Sequence, residues 1–197
     1  VAVYLDGRRA FVLTALEAVR LRPGQVLSDE EIAQLQERDR LEQAHEAALR
    51  FLSYRPRSER EIGDYLRQKG FDAATVEAEL ERLRRAGLVD DYAFARFWVE
   101  NRTAFRPRGR RALQAELRRK GVSPDVIREV LRESAPDERS LALRLARERA
   151  RRLQGLDPRT LRRRLAGYLS RRGFDGELVM EVLRTLDIES EEEAPEG

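Results

Sequence analysis

One phrase recurs three times along this chain and constrains its fold more than any other feature. Leu66-Arg67-Gln68-Lys69-Gly70-Phe71 returns as Leu117-Arg118-Arg119-Lys120-Gly121-Val122, and again as Leu169-Ser170-Arg171-Arg172-Gly173-Phe174. The glycines are 51 and 52 residues apart. Ile62, Leu113 and Leu165 keep the same register, as do Val76, Ile127 and Val179, and Leu80, Leu131 and Leu183. Pro56, Pro107 and Pro158 read as a further matched set. A fixed period of this size means one supersecondary unit used in tandem. It moves the functional question from a single active site to the surface that a row of similar units presents.

Each unit reads as three helices. In the first, Ser58 with Glu61 three residues on forms a capping box ahead of the Ile62/Leu66 stripe, and Gly70 takes the left-handed position that ends the helix. Asp72 caps the next helix, which carries Val76, Leu80 and Leu83 and stops at Gly87. Asp90 and Asp91 open the second unit, where Phe94, Phe97 and Trp98 fall at helical spacing. The cycle repeats through Pro107 to Lys120 and Ser123-Pro124 to Glu133. Pro136 or Asp137 opens the third unit, with helices expected over 139–154, 158–172 and 175–186. Leu117 and Trp98 are expected in the core.

Ahead of the repeats, Val1–Leu5 and Arg9–Leu13 are β-prone runs around Asp6-Gly7, a hairpin signal, and a hairpin needs something to pack on. Thr14 to Leu21 reads as a short helix. Ser28 with Glu31 forms a second capping box, opening a long helix toward Tyr54. The expected architecture is mainly α: an elongated array of three helix-turn-helix-like repeats over 47–93, 94–137 and 138–186. A hairpin and helical extension over 1–46 precedes them, and an acidic disordered tail over 187–197 follows.

The residues argue against an enzyme. There is no Cys and a single His, which removes thiolate metal sites and most acid–base chemistry. His45 lies in a predicted helix with no triad or ligand cluster around it and reads as a packing or surface residue. The Asp90-Asp91 pair reads as a helix start rather than a metal site. Neither GxxxxGK nor GxGxxG occurs, so no phosphate-cradling loop is present. No catalytic residue, metal or cofactor is expected. No signal peptide is visible, although the chain opens at Val1 inside a strand-like run, which leaves room for residues upstream. No run approaches the roughly 18 apolar residues of a spanning helix, so a cytoplasmic monomer away from membranes is expected.

Charge is the informative quantity. The net charge of +3 conceals −3 over residues 1–46, 0 over 47–93, +5 over 94–137, +7 over 138–186 and −6 over the last eleven residues. A basic body suggests an anionic partner, most simply nucleic acid. In the second unit the basic clusters are formed by Arg106, Arg108, Arg110, Arg111, Arg118, Arg119 and Lys120. In the third they are Arg159, Arg162, Arg163, Arg164, Arg171 and Arg172, with Arg151 and Arg152 just upstream. Most fall on the second helix of a unit or its flanking turns. With Leu113 and Leu117 facing inward, positions 111, 115 and 118 face outward. The bland alternative is that arginine stems cover the core while their heads stay in water. The third helices mix Arg128 and Arg132 with Asp125, Glu129 and Glu133, and Arg184 with Asp175, Glu177 and Glu181. That argues against base reading by a third helix and for non-specific phosphate contact, or for a protein partner coated on DNA.

Three stretches together resemble the RecX family, regulators of the RecA recombinase. They are Leu52…Arg55…Ser58…Glu61…Leu66…Gly70, then Gly87-Leu88-Val89-Asp90-Asp91-Tyr92-Ala93-Phe94-Ala95…Val99…Arg102, and Tyr168-Leu169-Ser170-Arg171-Arg172-Gly173-Phe174-Asp175. The likeness covers about residues 47–186, and residues 1–46 resemble the N-terminal segment that some members carry. The resemblance implies a non-enzymatic negative regulator that lies in the groove of the RecA nucleoprotein filament. It would inhibit recombinase, ATPase and co-protease activities in DNA repair, recombination and the SOS response. The implied partners are RecA and single- or double-stranded DNA bound without sequence preference. The family's signature residues are mainly capping and core positions, so the resemblance assigns no arginine a role. Two alternatives stay open: a stand-alone, non-specific nucleic-acid-binding repeat protein, and a helical scaffold for a different protein.

Overall fold

Asp6 and Gly7 both adopt positive φ, 49° and 76°, and close a two-residue turn between β1 (Ala2–Leu5) and β2 (Arg8–Val12). Primed turns of this hand match the twist of antiparallel strands. The computed structural model describes residues 1–134 and 137–192 and divides the chain into two compact units, Val1–Asp90 and Asp91–Gly197. The strands pair with a bulge between Val3 and Tyr4. Their side chains stay largely exposed, Tyr4 at 62%, and the segment's one buried anchor is Leu13 just beyond β2. Leu13 thus anchors the end of the hairpin, and Val3, Leu5 and Phe11 are half-buried.

The first unit continues with α1 (Ala15–Ala18), a single turn where a helix over 14–21 was expected. Three-residue closures, Arg20 N–H to Glu17 O and Leu21 N–H to Ala18 O, unwind it toward Pro23-Gly24. Buried carboxylates tie it to α2 (Asp29–Leu52). Asp39 accepts from Thr14 N–H at 2.6 Å and from Gln43 Nε2 at 2.6 Å. Glu17, 2% exposed, is bridged by Arg20 at 3.0 Å and Arg38 at 3.3 Å. Both expected capping boxes are present, Ser28/Glu31 on α2 and Ser58/Glu61 on α3 (Glu59–Gln68). Asp72 caps α4 (Ala73–Arg85) through Thr75 N–H. Ala44 and Ala48 on α2 let it close on Ile62, Leu66, Val76, Leu80 and Leu83 of α3 and α4.

The second unit holds two further three-helix layers. The first is α5 (Asp91–Phe105), α6 (Arg110–Arg119) and α7 (Pro124–Ser134), with Phe94, Ala95, Val99, Leu113, Leu117, Ile127 and Leu131 at its centre. The second is α8 (Glu138–Arg151), α9 (Pro158–Arg171) and α10 (Gly176–Glu192), built on Ala142, Ala146, Leu165, Leu169, Val179 and Leu183. All nine apolar register residues read from the repeat are buried. The repeat glycines have φ of +92°, +86° and +86° at Gly70, Gly121 and Gly173. Behind each, the next N–H reaches back to the repeated leucine: Phe71 to Leu66 O, Val122 to Leu117 O, Phe174 to Leu169 O. This is the Schellman closure, which needs a residue free of a Cβ at the turn.

Four further expectations need correction. Pro158 is not equivalent to Pro56 and Pro107. Those two lie two residues before the N-caps Ser58 and Gly109, whereas Pro158 is the first residue of α9, behind the N-cap Asp157. The α9 helix starts one turn earlier relative to its glycine. Trp98 is half-buried at the rim of its core, not inside it, because its indole N–H is drawn to Glu116 at 2.8 Å. Helix α8 ends at Arg151, sooner than expected, where the chain enters the turn that Gly155 (φ +86°) completes. Helix α10 runs past 186 to Glu192, through residues expected to belong to a disordered tail. No Gly or Pro interrupts it there, glutamate favours helix, and Arg162 pairs with Asp187. Residues 193–197 of that tail, and Pro136, lie outside the described residues.

Candidate nucleic-acid interface on the second unit

Glycine decides how the two layers of the second unit meet. Gly109, the N-cap of α6, stands where the first repeat has Ser58. Its N–H donates to Arg172 O at 2.9 Å. A Cβ there would lie 2.5 Å from Gly173 O, and one on Gly173 would lie 2.3 Å from the Ala112 Cβ. The C-terminal turn of α9 therefore rests directly on the backbone of α6. No serine side chain fits to cap α6, and Glu138 of the third repeat takes over, accepting from Arg110 N–H at 2.5 Å.

This junction carries the arginines of α6 and α9 onto one surface. A shallow groove of about 470 Å³ is lined by Arg108, Arg118, Arg119 and Arg171 around Ala112, Ala115 and Glu116. Arg118, Arg119 and Arg171 are exposed and have no ion pair among the described residues. The same holds for Arg106, Arg110, Arg159 and Arg164. Arg163 is exposed beside Asp157. The Thr160 backbone N–H and then its hydroxyl hold that carboxyl below the ordinary aspartate range, and Arg163 adds a smaller attraction.

Other predicted contact residues have partners within the fold. Arg111 faces outward as expected, but it is paired with Asp175 at the start of α10 and ties the two layers together. Arg162 pairs with Asp187. Arg172 turns in to donate to Pro107 O at 2.8 Å and lies over the Tyr168 ring. Lys120 lies over the Trp98 ring. Arg108 approaches Glu116 at 3.8 Å, but Glu116 is already engaged by Arg102 at 2.7 Å and by Trp98.

The first unit differs in kind. Arg84 is held by Glu59, Glu81 and Glu77 at 3.0, 2.6 and 3.2 Å, which raises its already high pKa. Arg55 grips Glu61 with both terminal nitrogens, and Arg82 pairs with Glu42 at 2.8 Å. The third helix of the second repeat is also locally compensated, Arg128 by Asp125 and Arg132 by Glu133. His45, read as a packing or surface residue, is half-buried, with Nδ1 2.9 Å from Glu79 Oε1. Among the described residues no group of His, Cys, Asp and Glu is placed to hold a metal ion, and no helix is long and apolar enough to cross a membrane. Sequence reasoning missed Arg144 and Arg149, which face Tyr168 and Arg172 across a second cleft. Their signal was the spacing of 144, 148, 149 and 152 on one helical face.

Family models match at three places: the first three-helix domain of RecX over residues 44–83, the second over 90–131 and the third over 137–183. The chain belongs to the RecX family. The regulatory protein RecX of Mycobacterium sp. strain KMS is 43% identical over 163 residues, spanning 80% of this chain and 88% of that protein. The RecX protein of Geobacillus thermodenitrificans is 34% identical over 202 residues, covering all of this chain and 75% of its own length. A crystal structure of regulatory protein RecX superposes with a TM-score of 0.74 at 28% identity, over 92% of this chain and 91% of the other. RecX from Lactobacillus salivarius, at 21% identity and a TM-score of 0.68 over 76% of this chain and 98% of its own, shares the fold.

Proposed function

We propose that this RecX-family chain is a negative regulator of RecA. In this reading it binds the RecA filament on DNA through the arginine face of α6 and α9 and thereby lowers strand exchange, ATP hydrolysis and co-protease activity. Family membership supports the regulatory role. The observation that carries the contact surface is the contrast in compensation. The arginines of the first unit are largely held by carboxylates, whereas Arg118, Arg119, Arg164 and Arg171 are exposed without one. Uncompensated guanidinium groups on a rigid helix face attract a phosphate-rich partner and release its counterions on binding.

The test is the combined change Arg118→Glu, Arg119→Glu and Arg164→Glu. These residues make no ion pair that the fold needs, unlike Arg111. The far-UV spectrum and melting temperature are expected to match the parent. Co-sedimentation with RecA filaments and inhibition of RecA ATPase are expected to fall steeply. Each lost phosphate contact lowers the slope of log affinity against log salt by about 0.7 to 0.9. Parental inhibition by the triple variant at low and moderate salt would overturn the assignment. A parallel arm with DNA alone separates regulation of the filament from stand-alone nucleic-acid binding. Equal affinity with and without RecA favours the latter.

A further inference from the structure

A second concave site lies in the same unit, lined by the end of α5, by α8 and by α9 and distinct from the groove above. Its volume is about 360 Å³. Four guanidinium groups, those of Arg144, Arg149, Arg152 and Arg172, line it against one carboxylate, Glu148. That carboxylate is already shared with Arg144 at 3.3 Å. Two of the guanidiniums are positioned by neutral partners. Arg172 is fixed by Pro107 O at 2.8 Å and lies 4.7 Å from the Tyr168 ring centre, and Arg149 lies 5.5 Å from that ring. Arg152 has no ion pair among the described residues.

Such a set has a plain chemical preference. Four like charges converging on one cavity with a single counter-charge repel one another until an anion enters. Arginine cannot relieve this by losing its proton at neutral pH. The aromatic ring and the Pro107 carbonyl hold Arg149 and Arg172 in place in advance, so little ordering remains to be done on binding. Guanidinium forks match phosphate oxygens in a paired geometry.

We infer that this cleft is a phosphate-binding site, gripping adjacent phosphate groups through Arg149, Arg152 and Arg172. The phosphates belong either to a free polyphosphate chain, as in a nucleoside triphosphate, or to a nucleic-acid backbone. The inference is independent of the α6 and α9 arginine face.

Calorimetric titration of the full chain with inorganic tripolyphosphate, and separately with a short single-stranded oligonucleotide, tests it. The probe variant is Arg149→Gln with Arg152→Gln, which leaves Arg172 on Pro107 and so spares the contact between the end of α9 and the α5–α6 connection. Arg8→Gln with Arg9→Gln, on the exposed strand β2 of the first unit, is the control for the loss of two surface charges. Tripolyphosphate is expected to bind the parent and the control alike, and the probe variant about ten-fold or more weaker, since two charge-assisted contacts are lost. If the oligonucleotide weakens in parallel on the probe variant, the phosphates are those of a strand. If only tripolyphosphate weakens, the ligand is a free polyphosphate. Unchanged binding of both ligands by the probe variant overturns the site, as does an equal loss on the control variant. The melting temperature of each variant is measured alongside, and Arg152→Lys, which keeps the charge, is expected to restore part of the affinity.

Discussion

Replacing Gly173 by alanine tests the packing of the second unit against a matched reference. Gly173 and Gly70 occupy the same repeat position with nearly the same φ, +86° and +92°. An alanine at either site pays for a left-handed backbone, about 1 kcal/mol. Their surroundings differ. Nothing lies within 4 Å of a Cβ on Gly70, whereas one on Gly173 would sit 2.3 Å from the Ala112 Cβ and 2.5 Å from the Ala112 backbone nitrogen. Backbone cannot swing aside as a side-chain tip can, and overpacking of this kind costs typically about 1–3 kcal/mol. Gly70→Ala should therefore lose about 1 kcal/mol and Gly173→Ala about 2–4 kcal/mol. Urea titration gives both values, far-UV circular dichroism reporting each variant and the fluorescence of Trp98, the chain's one tryptophan, reporting the second unit. Gly109→Ser sharpens the test. Its φ of −73° carries no left-handed strain, and serine is at least as good an N-cap as glycine. An isolated helix would gain slightly, so a loss of about 1–3 kcal/mol here comes from the clash with Gly173 O. Equal losses at Gly70 and Gly173, or a gain at Gly109, would refute the backbone-on-backbone junction.

Two further outcomes follow from the buried carboxylates of the first unit. Asp39→Ala leaves the Thr14 N–H without its acceptor and cuts the tie between α1 and α2, a loss of about 1.5–3 kcal/mol by denaturant titration, and Asp39→Asn, which keeps one acceptor, should lose less. Burial pushes the Glu79 carboxyl above its ordinary value, with His45 opposing through its hydrogen bond. Because the folded value lies above the unfolded one, this group's stabilising contribution is complete below the unfolded carboxylate value, about 4.3, and is lost as pH rises through the folded value. The stability of the parent relative to Glu79→Gln should therefore fall as pH rises from the acid side of the carboxylate range toward neutrality. A difference that instead grows with pH would mean that the His45 contact outweighs desolvation.

Periodicity made most of this fold legible in the chain itself. The repeated leucines and glycines, the Ser58 and Ser28 capping boxes and the Asp6-Gly7 turn are local devices. Their signals lie within a few residues of one another, and the structure places each where that local chemistry requires. The family, too, was readable from capping and core residues, which are the positions a repeat cannot change without losing its helices. The arginines were less legible because charge in a sequence does not say what faces it. Arg111 and Arg164 look alike on paper, yet one is matched by Asp175, 64 residues on, and the other faces no carboxylate among the described residues. Asp39 was hidden on the apolar stripe of α2, where its partner at Thr14 lies 25 residues away. The Gly109–Gly173 junction was equally invisible, since glycine at an N-cap is unremarkable until the other backbone is seen resting on it. The sequence by itself determined which segments are helical and where the helices closed by the repeat glycines stop, because capping, periodicity and left-handed turns act over short range. Only the tertiary structure decided which charges are neutralised and which stay available, because that depends on residues brought together across helices after the cores have formed.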